Sequence, residues 1–252
     1  SSFAAPDPAA VQGTYYPTRM SFTRVEKVLA LVSPVSVGVA GDGRLRVTGV
    51  LGPQPTDWVQ IEPGLFAPLE GAFPPEARLL IEERSVGGET RPYLLLGSLS
   101  FVRQPWYAAN SLMLLILTLV IFLIAAIALP VTAGLNRRYT RLAGVSARPP
   151  EPVFARLARW AGWALAALGL VFWVTFTIFS GDIYNLAFGL PPVLQGALVL
   201  PWIVAALALV VTVLAVWLWV RRAWTLAGRI GITLLSIAGL VQVWLLAFWN
   251  VL

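Results

Sequence analysis

Residues 104–136 read QPWYAANSLMLLILTLVIFLIAAIALPVTAGLN, and no charge interrupts them between Arg103 and Arg137. A bilayer core about 30 Å thick is crossed by roughly 20 helical residues, so this stretch is long enough to cross once. It is apolar on every face, whereas a helix at the surface of a soluble core shows one apolar stripe. Three more uncharged runs follow: 160–181 between Arg159 and Asp182, 183–220 between Asp182 and Arg221, and 230–252 after Arg229. Pro191-Pro192 interrupts the second of these, so its helix starts near Val193. The predicted spans are 108–133, 158–180, 193–220 and 230–250, a four-helix transmembrane bundle over 106–252.

Composition divides the chain at the same place. Of 252 residues, 58% are hydrophobic and 12% charged, against about 25% charged in an ordinary soluble domain. Residues 1–105 carry nine basic and ten acidic residues. Residues 106–252 carry nine Arg against Glu151 and Asp182 alone. The net +6 therefore belongs to the apolar half, where Arg sits between long runs, and is no nucleic-acid footprint. The partner it implies is a lipid bilayer.

The arginines also set an orientation. Arg137, Arg138, Arg141, Arg148, Arg156 and Arg159 lie between spans one and two, and Arg221, Arg222 and Arg229 between spans three and four. Only Asp182 lies between spans two and three. Positive-inside places both Arg loops in the cytoplasm and both termini outside, with Asp182 as a topological marker at the outer interface. Trp106, Trp202 and Trp249 then fall near the outer interface; Trp160, Trp163, Trp219 and Trp224 fall near the inner one.

The first 105 residues read as an extracytoplasmic β domain, a small all-β barrel or sandwich of six to eight strands with one short helix. Val35, Val37 and Val39 alternate with small residues, Gly41-Asp42-Gly43 turns, and Leu45 and Val47 alternate again, which is a hairpin pattern. Trp58–Glu62 stops at Pro63-Gly64. Segments 78–83 and 93–101 read as a pair joined through Gly87-Gly88, and Val11, Gly13 and Tyr15 as an opening strand. Thr23 and Glu26 fit a capping box for the helix. Side chains fill a barrel of this size in the usual case.

The residues leave little room for catalysis. With no His and no Cys, a Ser-His-Asp triad, a thiol nucleophile and a zinc-thiolate site are excluded. The only Lys is Lys27, and Arg24 stands where a Ser-x-x-Lys motif needs Ser. Glu82 and Glu83 are adjacent in a predicted strand, point to opposite faces and read as a solvated edge. No catalytic, cofactor or metal residue is assigned. Within the spans Gln242 is the deepest polar residue and reads as an interhelical contact. Ala161-Gly162, Ala166-Ala167-x-Gly169 and Ala238-Gly239 permit close helix approach.

The segment Tyr93-Leu94-Leu95-Leu96-Gly97, followed by Phe101-Val102-Arg103-Gln104-Pro105-Trp106-Tyr107 and then four spans, resembles the C-terminal region of membrane-anchored bacterial serine hydrolases. These belong to the β-lactamase/penicillin-binding-protein-like superfamily. Gly13-x-Tyr15, the Asp42-Gly43 hairpin and Pro63-Gly64-Leu65-Phe66 match the small β domain that follows the catalytic domain there. The resemblance covers essentially the whole chain. It implies an exported catalytic domain upstream, whose Ser-x-x-Lys and Tyr-x-Asn motifs have no counterpart here, so no catalytic residue carries over. Ser1–Gln12 has neither a basic nor an apolar signal region, so the expectation is a chain processed after export or the tail of a longer polypeptide. The function expected is a noncatalytic anchor or accessory module at the bacterial cytoplasmic membrane. The alternatives are a structural subunit among other membrane subunits, or a small transporter or lipid-binding protein.

Overall fold

The computed structural model describes residues 8–18, 27, 34–40, 43–49, 54–69, 73–86, 88–142, 152–180 and 192–252. The Thr23–Glu26 capping box, Asp42, Gly87, Arg148 and Asp182 lie outside them. The chain forms two compact units, Ser1–Leu112 and Met113–Leu252.

The first unit is a closed antiparallel barrel of eight strands in sequence order. A short helix α1 (Pro8–Val11) leads into β1 (Gly13–Pro17), β2 (Val35–Val39), β3 (Leu45–Thr48), β4 (Thr56–Glu62), β5 (Leu65–Pro68), β6 (Leu79–Val86), β7 (Glu89–Leu96) and β8 (Leu99–Arg103). Pairing of β1 with β8, Tyr15 opposite Arg103 and Pro17 opposite Phe101, closes it and leaves no free sheet edge there. The hairpin reading of residues 35–48 holds, with Val37 opposite Val47. The single segment 93–101 does not. It divides into the end of β7 and the start of β8, because Gly97 takes φ 57 and turns the chain so that Leu96 faces Leu99. Glycine at the first central position is what a two-residue turn of this kind demands.

Period-2 alternation sends Tyr15, Val35, Val37, Leu45, Val47, Trp58, Phe66, Leu79, Leu94 and Leu96 inwards. Side chains pack the interior, with Trp58 against Phe73 at 5.0 Å between ring centroids and the rings tilted by 55°. Trp58 Nε1 donates to Thr56 Oγ1 at 3.0 Å, so its polar edge is satisfied. On the other face of β1, Tyr16 is covered by helix α2 (Trp106–Ala109) and its hydroxyl donates to the Ala108 carbonyl at 3.2 Å.

The second unit is helical. Its main helices are α3 (Ser111–Leu142), α4 (Val153–Ser180), α6 (Leu200–Val220) and α7 (Leu226–Phe248), with a short α5 (Pro192–Ala197) before α6. All four long helices are apolar and long enough to cross a membrane: Ser111–Leu135, Val153–Phe179, Gln195–Val220 and Leu226–Phe248.

The helix ends depart from the predicted spans for physical reasons. Charge ends the membrane-compatible stretch but not the helix, so α3 runs through Pro130 to Leu142 and carries Arg137, Arg138 and Arg141 on its last turns. Likewise α4 begins at Val153, so Arg156 and Arg159 are helical rather than in a loop. The third span is broken after Ala197. Pro201 has no N–H to donate to the Ala197 carbonyl, and its ring crowds that carbonyl.

Candidate functional site

Only one stripe of each long helix is buried. On α6 it is Pro201, Val204, Ala208, Val211, Ala215 and Leu218, alternating three and four residues apart. On α3 it includes Leu115, Thr118 and Phe122, while Ile116, Leu117, Val120 and Ile124 stay exposed. Such exposed apolar faces are covered at low cost by hydrocarbon, not by water.

Small residues set the spacing of the bundle. A methyl group built on Gly239 of α7 would come within 3.1 Å of Ala208 Cβ on α6 and 3.0 Å of Leu165 Cδ2 on α4. One on Gly162 would come within 2.8 Å of Leu235 Cδ2, and one on Gly169 within 2.5 Å of the Phe122 ring. The three small-residue motifs therefore do bring helices into close approach.

Two polar bridges cross between helices at these contacts. Gln242 is fully buried, and its Oε1 lies 3.1 Å from Thr118 Oγ1 on α3. Thr212 on α6 meets Ser236 on α7, 2.8 Å between hydroxyl oxygens. The sequence singled out Gln242 but not its partner. Thr118 carries no signal of its own, because Ser and Thr in a helix routinely bond a preceding carbonyl, as Thr118 does with Leu115 at 2.8 Å.

The Thr118 contact raises a question of proton count. One hydroxyl hydrogen cannot serve both the Leu115 carbonyl and the Gln242 amide oxygen. Turning the amide over resolves the conflict. Nε2 then donates to Thr118, Thr118 donates to Leu115, and Oε1 becomes the unpaired atom instead of Nε2. In either orientation Gln242 spends one end of its amide on α3 and leaves the other without a partner among the described residues.

The arginine positions form a second feature. Phe154 at the start of α4 packs on Trp217 near the end of α6, 4.1 Å between centroids, so these ends meet where the α6–α7 hairpin turns. Arg156 and Arg159 on α4, Arg221 and Arg222 in the hairpin, and Arg229 on α7 therefore belong to one end of the bundle. Arg221 and Arg222 are exposed, as is Arg138 on α3. Arg159 lies over the Trp224 ring at 5.6 Å and Arg229 over the Trp219 ring at 4.7 Å. These pairs escape a sequence reading because each joins residues on different elements or across the hairpin. Trp106 is 73% exposed and stands edge-on to Tyr107. Trp249, at the C-terminal end of α7, is 2% exposed and stands edge-on to Phe248.

On the barrel the charged residues form surface pairs. Arg46 grips Asp57 with two contacts, 2.8 and 3.1 Å, and this hydrogen bond holds the Asp57 carboxyl below its usual range. Glu82 pairs with Arg84 and Glu89 with Arg91. Glu82 and Glu83 sit where β6 has run past β5 and pairs with β7 alone, so they lie on a solvated ribbon. Among the described residues no three carboxylates gather as metal ligands would. No family model, curated protein or solved structure matches the chain.

Proposed function

We propose that this chain is a noncatalytic anchor module that holds an extracytoplasmic domain at a bacterial cytoplasmic membrane, in the manner of the C-terminal region of exported serine hydrolases. The observation that carries the reading is the segregation of charge. The helical unit gathers Arg156, Arg159, Arg221, Arg222 and Arg229 at one end, and its described residues contain no acidic side chain. Positive-inside assigns that end to the cytoplasm. The barrel is then outside, and its interior is packed with apolar side chains among the described residues. Gln242 with Thr118 and Thr212 with Ser236 bridge neighbouring helices, which favours an anchor over a transport path.

The test is accessibility in intact cells. The chain has no native Cys, so single cysteines report cleanly. Ser98→Cys, in the exposed β7–β8 turn, labels with a membrane-impermeant maleimide, and Ser146→Cys labels only after permeabilisation. Labelling of both from one side overturns the orientation. An upstream coding segment with a Ser-x-x-Lys motif supports the hydrolase connection; a signal peptide directly before Ser1 removes it.

A further inference from the structure

The arginine end of the bundle is built more tightly than a topological signal requires. Trp219 is fixed by donation from its Nε1 to Thr233 Oγ1 at 2.9 Å, and Arg229 lies on its ring. Trp224 is held against Gly228, where an added methyl group would come within 2.7 Å of the indole. The backbone of Trp224 takes φ 83, a conformation that bulky side chains avoid at a cost of about 1–3 kcal/mol. A strained aromatic residue kept in place by its neighbours marks a position that the surrounding structure specifies closely.

Arg229 has a donor to spare. No hydrogen-bond acceptor for its guanidinium occurs among the described residues, none of which is acidic in this unit; its Nε–H is enclosed, which leaves the terminal Nη groups to a ligand. The Arg229 guanidinium carbon lies 4.7 Å from the Trp219 ring centroid, and its planar group carries its N–H donors in its own plane. That planar fork donates to two oxygens of a phosphate. Arg159, over the neighbouring Trp224, adds a second cation at the same end. Leu157, Leu226 and Ile230 beside these groups are exposed and apolar. A ligand here therefore meets cations and hydrocarbon-compatible surface together.

We propose that Arg229, positioned by Trp219 and assisted by Arg159 on Trp224, binds the phosphate of an anionic phospholipid head group. Exposed apolar side chains next to the guanidiniums select a lipid over a free phosphate, because acyl chains cover them. The site rests on the four helices spanning a bilayer. It does not rest on which side the arginine end faces or on any catalytic partner.

The experiment is thermal unfolding of the delipidated full chain in a neutral detergent, with phosphatidylglycerol, phosphatidylcholine or inorganic phosphate added. Phosphatidylglycerol raises the midpoint by about 5 °C when present well above its dissociation constant. Phosphatidylcholine and inorganic phosphate leave it unchanged. Arg229→Gln removes at least half of the rise, whereas Arg156→Gln, which deletes one exposed charge from the same end, preserves it. Should Arg229→Gln fail to fold, Arg229→Lys keeps the charge without the fork and is expected to lose the rise in the same way. Three results overturn the proposal: an equal rise with inorganic phosphate, an equal loss in the Arg156 and Arg229 variants, or no rise with any addition. A full rise retained in Arg229→Lys also overturns it, since a diffuse positive field then suffices.

Discussion

At the scale of single residues, Gln242 and Tyr15 show how burial assigns opposite values to polar groups. Gln242 is buried with half its amide unsatisfied, and Thr118 retains the Leu115 carbonyl without it. A buried polar group that lacks a partner costs about 1–3 kcal/mol, whereas an interhelical hydrogen bond in a membrane contributes about 0.6 to 2. The two nearly cancel. Gln242→Leu should therefore shift stability by less than about 1 kcal/mol, read from unfolding midpoints in mixed micelles. A loss above twice that would mean that the amide has another partner. Tyr15 is the reverse case, buried and satisfied, its hydroxyl donating to the Val11 carbonyl at 2.7 Å. Burial pushes its phenol up to about 12, with Arg103 opposing. The ordinary value of 10.0 applies to the unfolded chain, which therefore ionises first. Stability is intact below pH 10 and declines between about 10 and 12. Burial raises Tyr16 as well, so it adds to the decline. Tyr15→Phe should flatten that decline in a series of melts and cost about 1 kcal/mol at neutral pH for the lost hydrogen bond. An unchanged slope would assign the titration elsewhere.

At the scale of elements, helix spacing in the bundle is decided by glycines that meet side chains unable to retreat. Gly239 faces Ala208, whose Cβ is fixed to its backbone, so a larger residue at 239 must push α6 and α7 apart. Gly239→Val should destabilise the bundle by about 1–3 kcal/mol through overpacking. Ala208→Gly in the same chain should recover part of that loss. A double-mutant cycle on unfolding midpoints measures the coupling, and simple additivity would show that the two positions do not touch. At Gly169 an added methyl would come within 2.5 Å of the Phe122 ring, which is itself fully buried, so the ring must shift within packed surroundings. The helices themselves were legible from hydrophobicity, but their ends were not. Charged residues bound the uncharged runs, yet α3 and α4 extend through their arginines, because a solvated charge is compatible with helix and incompatible only with hydrocarbon. The β7–β8 turn is hidden in the sequence for a related reason: Leu94, Leu96, Leu99 and Phe101 keep an apolar rhythm across Gly97, and only the positive φ of that glycine reveals the reversal.

At the scale of the whole molecule, two cores are built from different materials. The barrel core is complete within residues 11–101 and is driven by exclusion of water. The bundle exposes apolar faces and holds together by close packing and polar bridges. Denaturation with guanidinium in detergent should therefore occur in two steps, with the β circular-dichroism signal lost before the helical signal at 222 nm. Coincident transitions would show that the two units unfold as one. The sequence by itself determined the classes of structure. Its runs of uncharged residues demand a bilayer, its period-2 segments demand a sheet, and its missing His and Cys remove whole families of chemistry. These are properties of composition and local spacing, and they survive any arrangement of the elements. Closure of eight strands through β1 and β8 was decided only in three dimensions, as were the partner of Gln242 and the seating of Arg229 on Trp219. Each depends on atoms brought together from distant positions or on a backbone angle, and neither is written in the order of residues along the chain.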